Sequence, residues 1–151
     1  MLIAVDHGNK QIKVNGTNAS RSFTSGLTES ATLPPFGEDI LRYNGRYYSL
    51  SEKRVPYTPD KTRDDRFYIL TLFAVAFELA ASGRFAPGET ADVQLAVGLP
   101  PAHYGRLYER FEAYFTRGGT ERFTFRGKPY AVRVTDTVAY PQAYAAAMTV
   151  Y

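Results

Sequence analysis

The stretch Asp6-His7-Gly8-Asn9-Lys10-Gln11-Ile12-Lys13 holds the residues whose types and spacing could do chemistry. A carboxylate closes a short apolar run, a glycine lets the backbone turn close to a ligand, an amide occupies the turn tip, and Lys13 lies on the returning segment. A phosphate needs such parts: backbone N–H donors in a turn, an amide or hydroxyl, and a cation. The carboxylate is of the kind that holds Mg²⁺, through water, because that ion keeps much of its hydration shell. The same residues also make a plain polar hairpin with a Gly-Asn turn and solvated lysines, and spacing alone leaves both readings open. Cysteine is absent, which excludes a disulfide framework and any thiolate nucleophile or metal ligand, and suits a reducing compartment.

The elements that must position these residues follow from pattern. Residues 2–5 are a short apolar run of strand type, and residues 11–14 alternate polar and apolar after Gly8 and Asn9, which predicts an opening hairpin. Asn15-Gly16 is a second turn, leading to residues 19–24 with Phe23 as apolar anchor and completing a three-stranded antiparallel meander. Residues 26–36, rich in Ser, Thr and Pro, read as a loop. Residues 40–43 and 47–50 flank Asn44-Gly45, a hairpin signal. Residues 52–61, with Pro56 and Pro59, read as a connector.

Thr62, with Asp64 and Asp65 in a first turn that favours acidic groups, predicts a helix running to about Gly83. Phe67, Leu70, Ala74, Phe77 and Ala81 make one face, and Ile69, Leu72, Phe73 and Ala76 make the other sides apolar too. Such a helix is buried between layers or docked on a partner. Val93, Leu95 and Val97 predict a strand that stops at Gly98-Leu99-Pro100-Pro101. An amphipathic helix follows over residues 102–117, with Leu107, Phe111, Tyr114 and Phe115 inward. Phe123 and Phe125, a turn at Gly127, then Tyr130, Val132 and Val134 predict another hairpin. Pro141 opens a last, Ala-rich helix over residues 142–151.

At 151 residues, 44% hydrophobic and 22% charged, the chain has the composition of one globular core, with twelve Tyr and ten Phe carrying much of its burial. Eighteen basic and fifteen acidic residues give a net charge of +3, spread along the sequence, so no polyanionic partner or membrane surface is implied. The N-terminus lacks the basic and apolar regions of a signal peptide, and the longest apolar run is shorter than the ~20 residues of a membrane span, which predicts a cytoplasmic protein.

On the motif Asp6-x-Gly8-x-x-x-x-Lys13 the chain resembles the actin superfamily, and within it the bacterial plasmid-segregation ATPases of the ParM/StbA type. Three further features are similar to that subfamily: the apolar helix 67–81, the strand ending Ala96-Val97-Gly98-Leu99-Pro100, and Tyr140-Pro141-Gln142-Ala143-Tyr144-Ala145-Ala146. The resemblance implies an α/β fold, the ribonuclease-H-like lobe of an actin-like ATPase, with a mixed five-stranded sheet, flanking helices and an extra hairpin. It further implies that Asp6 holds water-coordinated Mg²⁺, that Gly8 and Asn9 face the nucleotide phosphates, and that Lys13 contacts them as a point charge. Gln142 matches the residue that positions the attacking water, an orienting role suited to phosphoryl transfer. His7 departs from the small or hydroxyl residue expected there and reads either as a phosphate donor or as an incidental loop residue. The family's second phosphate loop and adenosine motif do not appear, so residues 1–151 read as an N-terminal lobe whose second lobe is outside this chain, and the isolated chain is expected to be inactive.

The function so implied is the first lobe of a filament-forming ATPase, using ATP or GTP with Mg²⁺, that serves plasmid segregation through self-association and an adaptor protein bound to the DNA, without direct nucleic-acid or membrane contact. The apolar helix and the tyrosines Tyr47, Tyr48 and Tyr57 would then serve lobe packing or filament contacts. Two alternatives stand beside it. One is a ribonuclease-H-like metal nuclease with Asp6, Glu78 and Asp136 around two metals ~4 Å apart. The other is a non-enzymatic protein-interaction domain in which the Asp6 loop is only a turn.

Overall fold

The computed structural model describes residues 1–8, 10–56, 61–99 and 101–141. The expectations for Asn9, Tyr57, Gln142 and the last helix therefore lie outside the described residues. In chain order the strands are β1 (Leu2–His7), β2 (Gln11–Asn15), β3 (Ser20–Thr24), β4 (Leu27–Ser30), β5 (Ile40–Tyr43) and β6 (Arg46–Leu50). Helix α1 (Arg66–Ser82), β7 (Thr90–Leu99), α2 (Pro101–Thr116), β8 (Thr120–Phe125) and β9 (Lys128–Pro141) follow. The strands form one mixed sheet in the order β3-β2-β1-β7-β9-β8-β5-β6-β4.

The centre of the sheet is parallel, β1 beside β7 and β7 beside β9, and the flanks are antiparallel. The expected five-stranded sheet and extra hairpin are thus one sheet of nine strands, because β5 pairs with β8 and carries the hairpin with it. Two hairpins turn on a pair of left-handed residues, Asn44 (φ 51°) with Gly45 (φ 76°) and Arg126 (φ 53°) with Gly127 (φ 76°), the geometry of the tight turn whose twist matches the strands. The segment expected as a loop after Gly26 contains β4 at the sheet edge, antiparallel to β6. Its polar composition hid it, since an edge strand needs only one paired side and gains little from apolar residues.

Helix α1 starts at Arg66, with Asp65 at the N-cap, so Asp64 and Asp65 precede the first turn instead of filling it. Asp64 accepts the Arg66 N–H at 2.9 Å and also binds its guanidinium. The helix ends at Gly83, whose left-handed φ of 63° lets its N–H reach back to the Leu79 carbonyl. Every residue from Phe67 to Leu79 is buried. The sheet curls to make this happen. Phe77 meets Phe23 of β3 and Phe125 of β8, while Tyr68 meets Tyr43 of β5 and Phe115 of α2. Each large ring or aliphatic side chain so buried contributes roughly 1.5–3 kcal/mol, which is why a helix apolar on all sides belongs at this centre. Tyr114 fastens α2 to the start of α1: its hydroxyl donates to the Asp64 carbonyl at 2.6 Å and accepts the Tyr68 N–H at 2.8 Å.

Candidate functional site

The last residues of β1 divide between the two faces of the sheet. Ile3, Val5 and His7 are buried, as are Ile12 and Val14 of β2, so Asp6 and its cross-strand partner Lys13 project together on the opposite face. On its other side Asp6 pairs with Gly98 of β7, Gly98 pairs with Tyr140 of β9, and Leu99 pairs with Pro141. The three parallel strands therefore end side by side, at the edge that carries the β1–β2 turn. In sheets of this type the crevice beyond the carboxyl ends of the strands is where ligands are held.

The turn is built around Gly8. Its N–H donates to the Gln11 carbonyl at 3.1 Å, and a Cβ at this position would lie 2.7 Å from that same oxygen. The approach is closer than any side chain allows, so the residue type is dictated by space. The Ser25 hydroxyl donates to the Gly8 carbonyl at 2.7 Å, and the Ser25 N–H donates to the Lys10 carbonyl at 3.0 Å. Ser25 is fully buried. In turn its carbonyl accepts the Val55 N–H at 2.7 Å, which ties the segment after β6 to the β1–β2 turn. Sequence reasoning missed Ser25, although a serine at a strand end just before a glycine was a usable signal. Gly8→Ala is expected to lower stability by about 1–3 kcal/mol, as overpacking against a fixed backbone does. Urea unfolding checks this, and a variant as stable as the parent would show that the turn can relax.

Two cations accompany this carboxylate. Lys13 is exposed and makes no hydrogen bond or ion pair among the described residues. Lys61, which the sequence left inside a connector, is only 5% exposed, with its Nζ 5.5 Å from the centre of the Phe67 ring. Burial pulls the Lys61 ammonium below the usual lysine range, and the negative charge of Asp6 opposes that shift.

His7 is not on the face of Asp6 and Lys13. It is fully buried under the sheet, stacked on Phe115 and edge-on to Phe111. Its Nε2 lies 2.7 Å from the Thr71 hydroxyl, which donates its own proton to the Phe67 carbonyl, so the imidazole Nε2–H is the donor to Thr71. Burial, helped by the Lys61 charge, pushes its pKa down to about 3. The reading of His7 as a phosphate donor is thereby corrected: strand alternation turns it into the core.

The three carboxylates of the nuclease reading do not meet. Asp136 pairs with Gln94, four residues before Gly98 on β7, which places its Cα about 16 Å from that of Asp6 by strand rise and spacing. Glu78 is buried at the other end of β2, where it accepts the N–H groups of Asn18 and Ala19. No cluster of three potential metal-ligating residues occurs among the described residues. Of the surfaces expected to make filament contacts, α1 is enclosed, Tyr48 is buried and Tyr47 is half-buried.

Residues 4–144 match the family model for the N-terminal domain of actin-like proteins. Among solved structures, the fold is similar to that of the actin-like protein Alp7A, at a TM-score of 0.70 and 17% identity, over 91% of this chain and 43% of that one. It is also similar to the AlfA filament bound to AMPPNP, at a TM-score of 0.71 and 18% identity, over 93% of this chain and 54% of that one. AlfA has also been solved as a filament of the protein from a B. subtilis plasmid. A third is Ta0583, an archaeal actin homolog in complex with ADP, at a TM-score of 0.68 and 14% identity, over 97% of this chain and 45% of that one. At these identities the likeness is one of fold, and the chain spans about half the length of the structures it matches. No curated protein matches the sequence.

Proposed function

Since the chain belongs to the family of actin-like protein N-terminal domains, we propose that it is the first lobe of a nucleotide-dependent, filament-forming ATPase and that the β1–β2 turn takes the phosphates. The observation that carries this reading is the common end of β1, β7 and β9, with Asp6 and Lys13 on one face and the Gly8 turn between them. The residues fit a Mg²⁺-triphosphate: a turn with no room for a side chain, a lysine with no partner among the described residues, and a carboxylate beside it.

In this reading Asp6 holds Mg²⁺ through water, Gly8 and Asn9 offer backbone and amide donors, and Lys13 meets the phosphate charge. The nucleotide, ATP or GTP, supplies the phosphoanhydride bond and, with its metal, the neutralising charge. Gln142, which follows β9, orients the attacking water; an amide has no basicity to remove its proton, so its contribution is alignment. Self-association into filaments, an adaptor protein bound to plasmid DNA, and a cytoplasmic setting complete the proposal. Support comes from the filament structures of AlfA and from the absence, among the described residues, of any helix long and apolar enough to cross a membrane.

Calorimetric titration of Mg²⁺-ATP and Mg²⁺-GTP into the full-length protein tests the reading, together with its nucleotide-dependent sedimentation. Asp6→Asn is expected to weaken binding about tenfold or more, the scale of a lost interaction to a charged group, and to abolish the nucleotide dependence of sedimentation. Equal binding by the variant would remove Asp6 from the metal site. No binding by the full-length protein would favour the interaction domain.

A further inference from the structure

We infer that Ser25 is a positioning residue of this site: its hydroxyl fixes the β1–β2 turn so that the turn offers N–H groups, and not carbonyls, to the nucleotide phosphates. The inference rests on the nucleotide reading above and adds to it a residue that acts through Gly8.

Ser25 grips the turn through two of its own groups. Its hydroxyl donates to the Gly8 carbonyl at 2.7 Å and its N–H to the Lys10 carbonyl at 3.0 Å, while the Gln11 carbonyl accepts the Gly8 N–H at 3.1 Å. The Gly8 and Lys10 oxygens are thus drawn toward a residue that is fully buried. A trans peptide carries its N–H on the side opposite its C=O, so a turn held by its oxygens on the closed side keeps donors for the open side. N–H groups facing one way make the concavity that holds an anion. Glycine has the widest backbone freedom of any residue. Without the Ser25 hydroxyl, the Gly8 carbonyl can therefore swing toward the ligand, where its negative end repels a phosphate.

A residue that positions another must itself be fixed, and the topology fixes Ser25. Strands β3 and β4 stand at the two ends of the nine-strand order, yet only Ser25 and Gly26 lie between them. The curled sheet therefore brings its two edges together at this pair. The seam is pinned from the segment after β6: the Val55 N–H donates to the Ser25 carbonyl at 2.7 Å and the Ser51 N–H to the Gly26 carbonyl at 2.9 Å. Gly26 is packed so closely that a Cβ there would collide with the Ser51 and Lys53 carbonyls. Ser25 thus transmits the position of both sheet edges to the Gly8 turn.

Affinity for Mg²⁺-ATP and Mg²⁺-GTP is measured by calorimetry on the full-length protein and its Ser25→Ala, Ser25→Thr and Asp6→Asn variants, with urea unfolding of each. Ser25→Ala keeps both backbone hydrogen bonds of residue 25 and is expected to fold. It is expected to bind nucleotide about tenfold more weakly, the upper scale of one lost hydrogen bond. Ser25→Thr keeps the hydroxyl and adds a methyl to a packed position, so it should lose stability yet bind within about threefold of the parent. A purely structural role makes affinity follow stability in both variants, and that result would overturn the inference. Unchanged affinity in Ser25→Ala, with Asp6→Asn weakened, would overturn the role of Ser25 and leave the nucleotide reading standing. A full-length parent that binds neither nucleotide would overturn both. Should Ser25→Ala not fold, hydrogen exchange in the parent decides. Nucleotide should slow exchange of the Ser25 and Val55 amides, held at the seam, more than that of the Ala19 amide, held by Glu78 at the other end of β2. Slowing at Ser25 and Val55 no greater than at Ala19 would overturn the inference.

Discussion

Glu78→Ala is expected to lower the unfolding free energy by about 3–5 kcal/mol, the scale found when one side of a buried, hydrogen-bonded charge interaction is removed. Glu78 is fully buried in α1, and its carboxylate is the acceptor for the β2–β3 turn. Oε1 accepts the Asn18 N–H at 2.8 Å and the Asn18 amide at 2.9 Å, and Oε2 accepts the Ala19 N–H at 2.7 Å. The turn comes this close because residue 16 is glycine: a Cβ there would lie 2.5 Å from Oε2. Alanine at position 78 leaves three donors without an acceptor and a cavity beside the helix, and both costs add. For a chain of 151 residues the melting temperature should fall by roughly 10 °C. Glu78→Gln, which keeps the shape and one acceptor oxygen, should lose less. A drop below about 1 kcal/mol in urea unfolding, smaller than a single lost buried hydrogen bond, would show that the turn finds other acceptors. Nucleotide binding below the melting transition should survive, since this turn lies at the opposite end of β2 from Gly8.

A pH effect of comparable size is expected from His7. Its folded-state pKa of about 3 lies below the ordinary value of 6.5, so between these values the unfolded chain binds a proton that the folded protein refuses. Stability then rises with pH in that window, because the unfolded state carries more protons. The contribution of neutral His7 is fully present above pH 6.5 and is lost as pH falls toward about 3. At pH 5 the loss amounts to about 2 kcal/mol, at roughly 1.4 kcal/mol for each pH unit below the unfolded value. His7→Leu should flatten this part of the profile, whatever the carboxylates contribute. Chemical denaturation of both proteins from pH 7.5 to 4.5 measures the difference, and parallel profiles would place His7 in contact with water.

The hairpins, both described helices and the turn at Gly8 were legible because each has a short-range cause. Asn44-Gly45 and the glycine at 127 specify turns by their own backbone preferences, and the amphipathic α2 specifies its inner face by period. Asp6 and Lys13 were legible as a pair because a short turn sets their register. The face of His7 was not, since it depends on which side of β1 the two helices cover. β4 was hidden for a similar reason: its pairing with β6 brings together segments whose local composition does not announce a strand.

By itself, then, the sequence determined the family, the order of most elements and the motif at residues 6–13, all of them written in neighbouring residues. Only the tertiary structure decided that three parallel strands end together, that His7 and Glu78 belong to the core, that Ser25 belongs to the turn and that Lys61 is buried beside Phe67. A lysine in a connector, a serine at a strand end and a glutamate on a helix have the same chemistry wherever they stand. Their roles come from burial and from partners tens of residues away. These are properties of the packed chain and not of its local pattern.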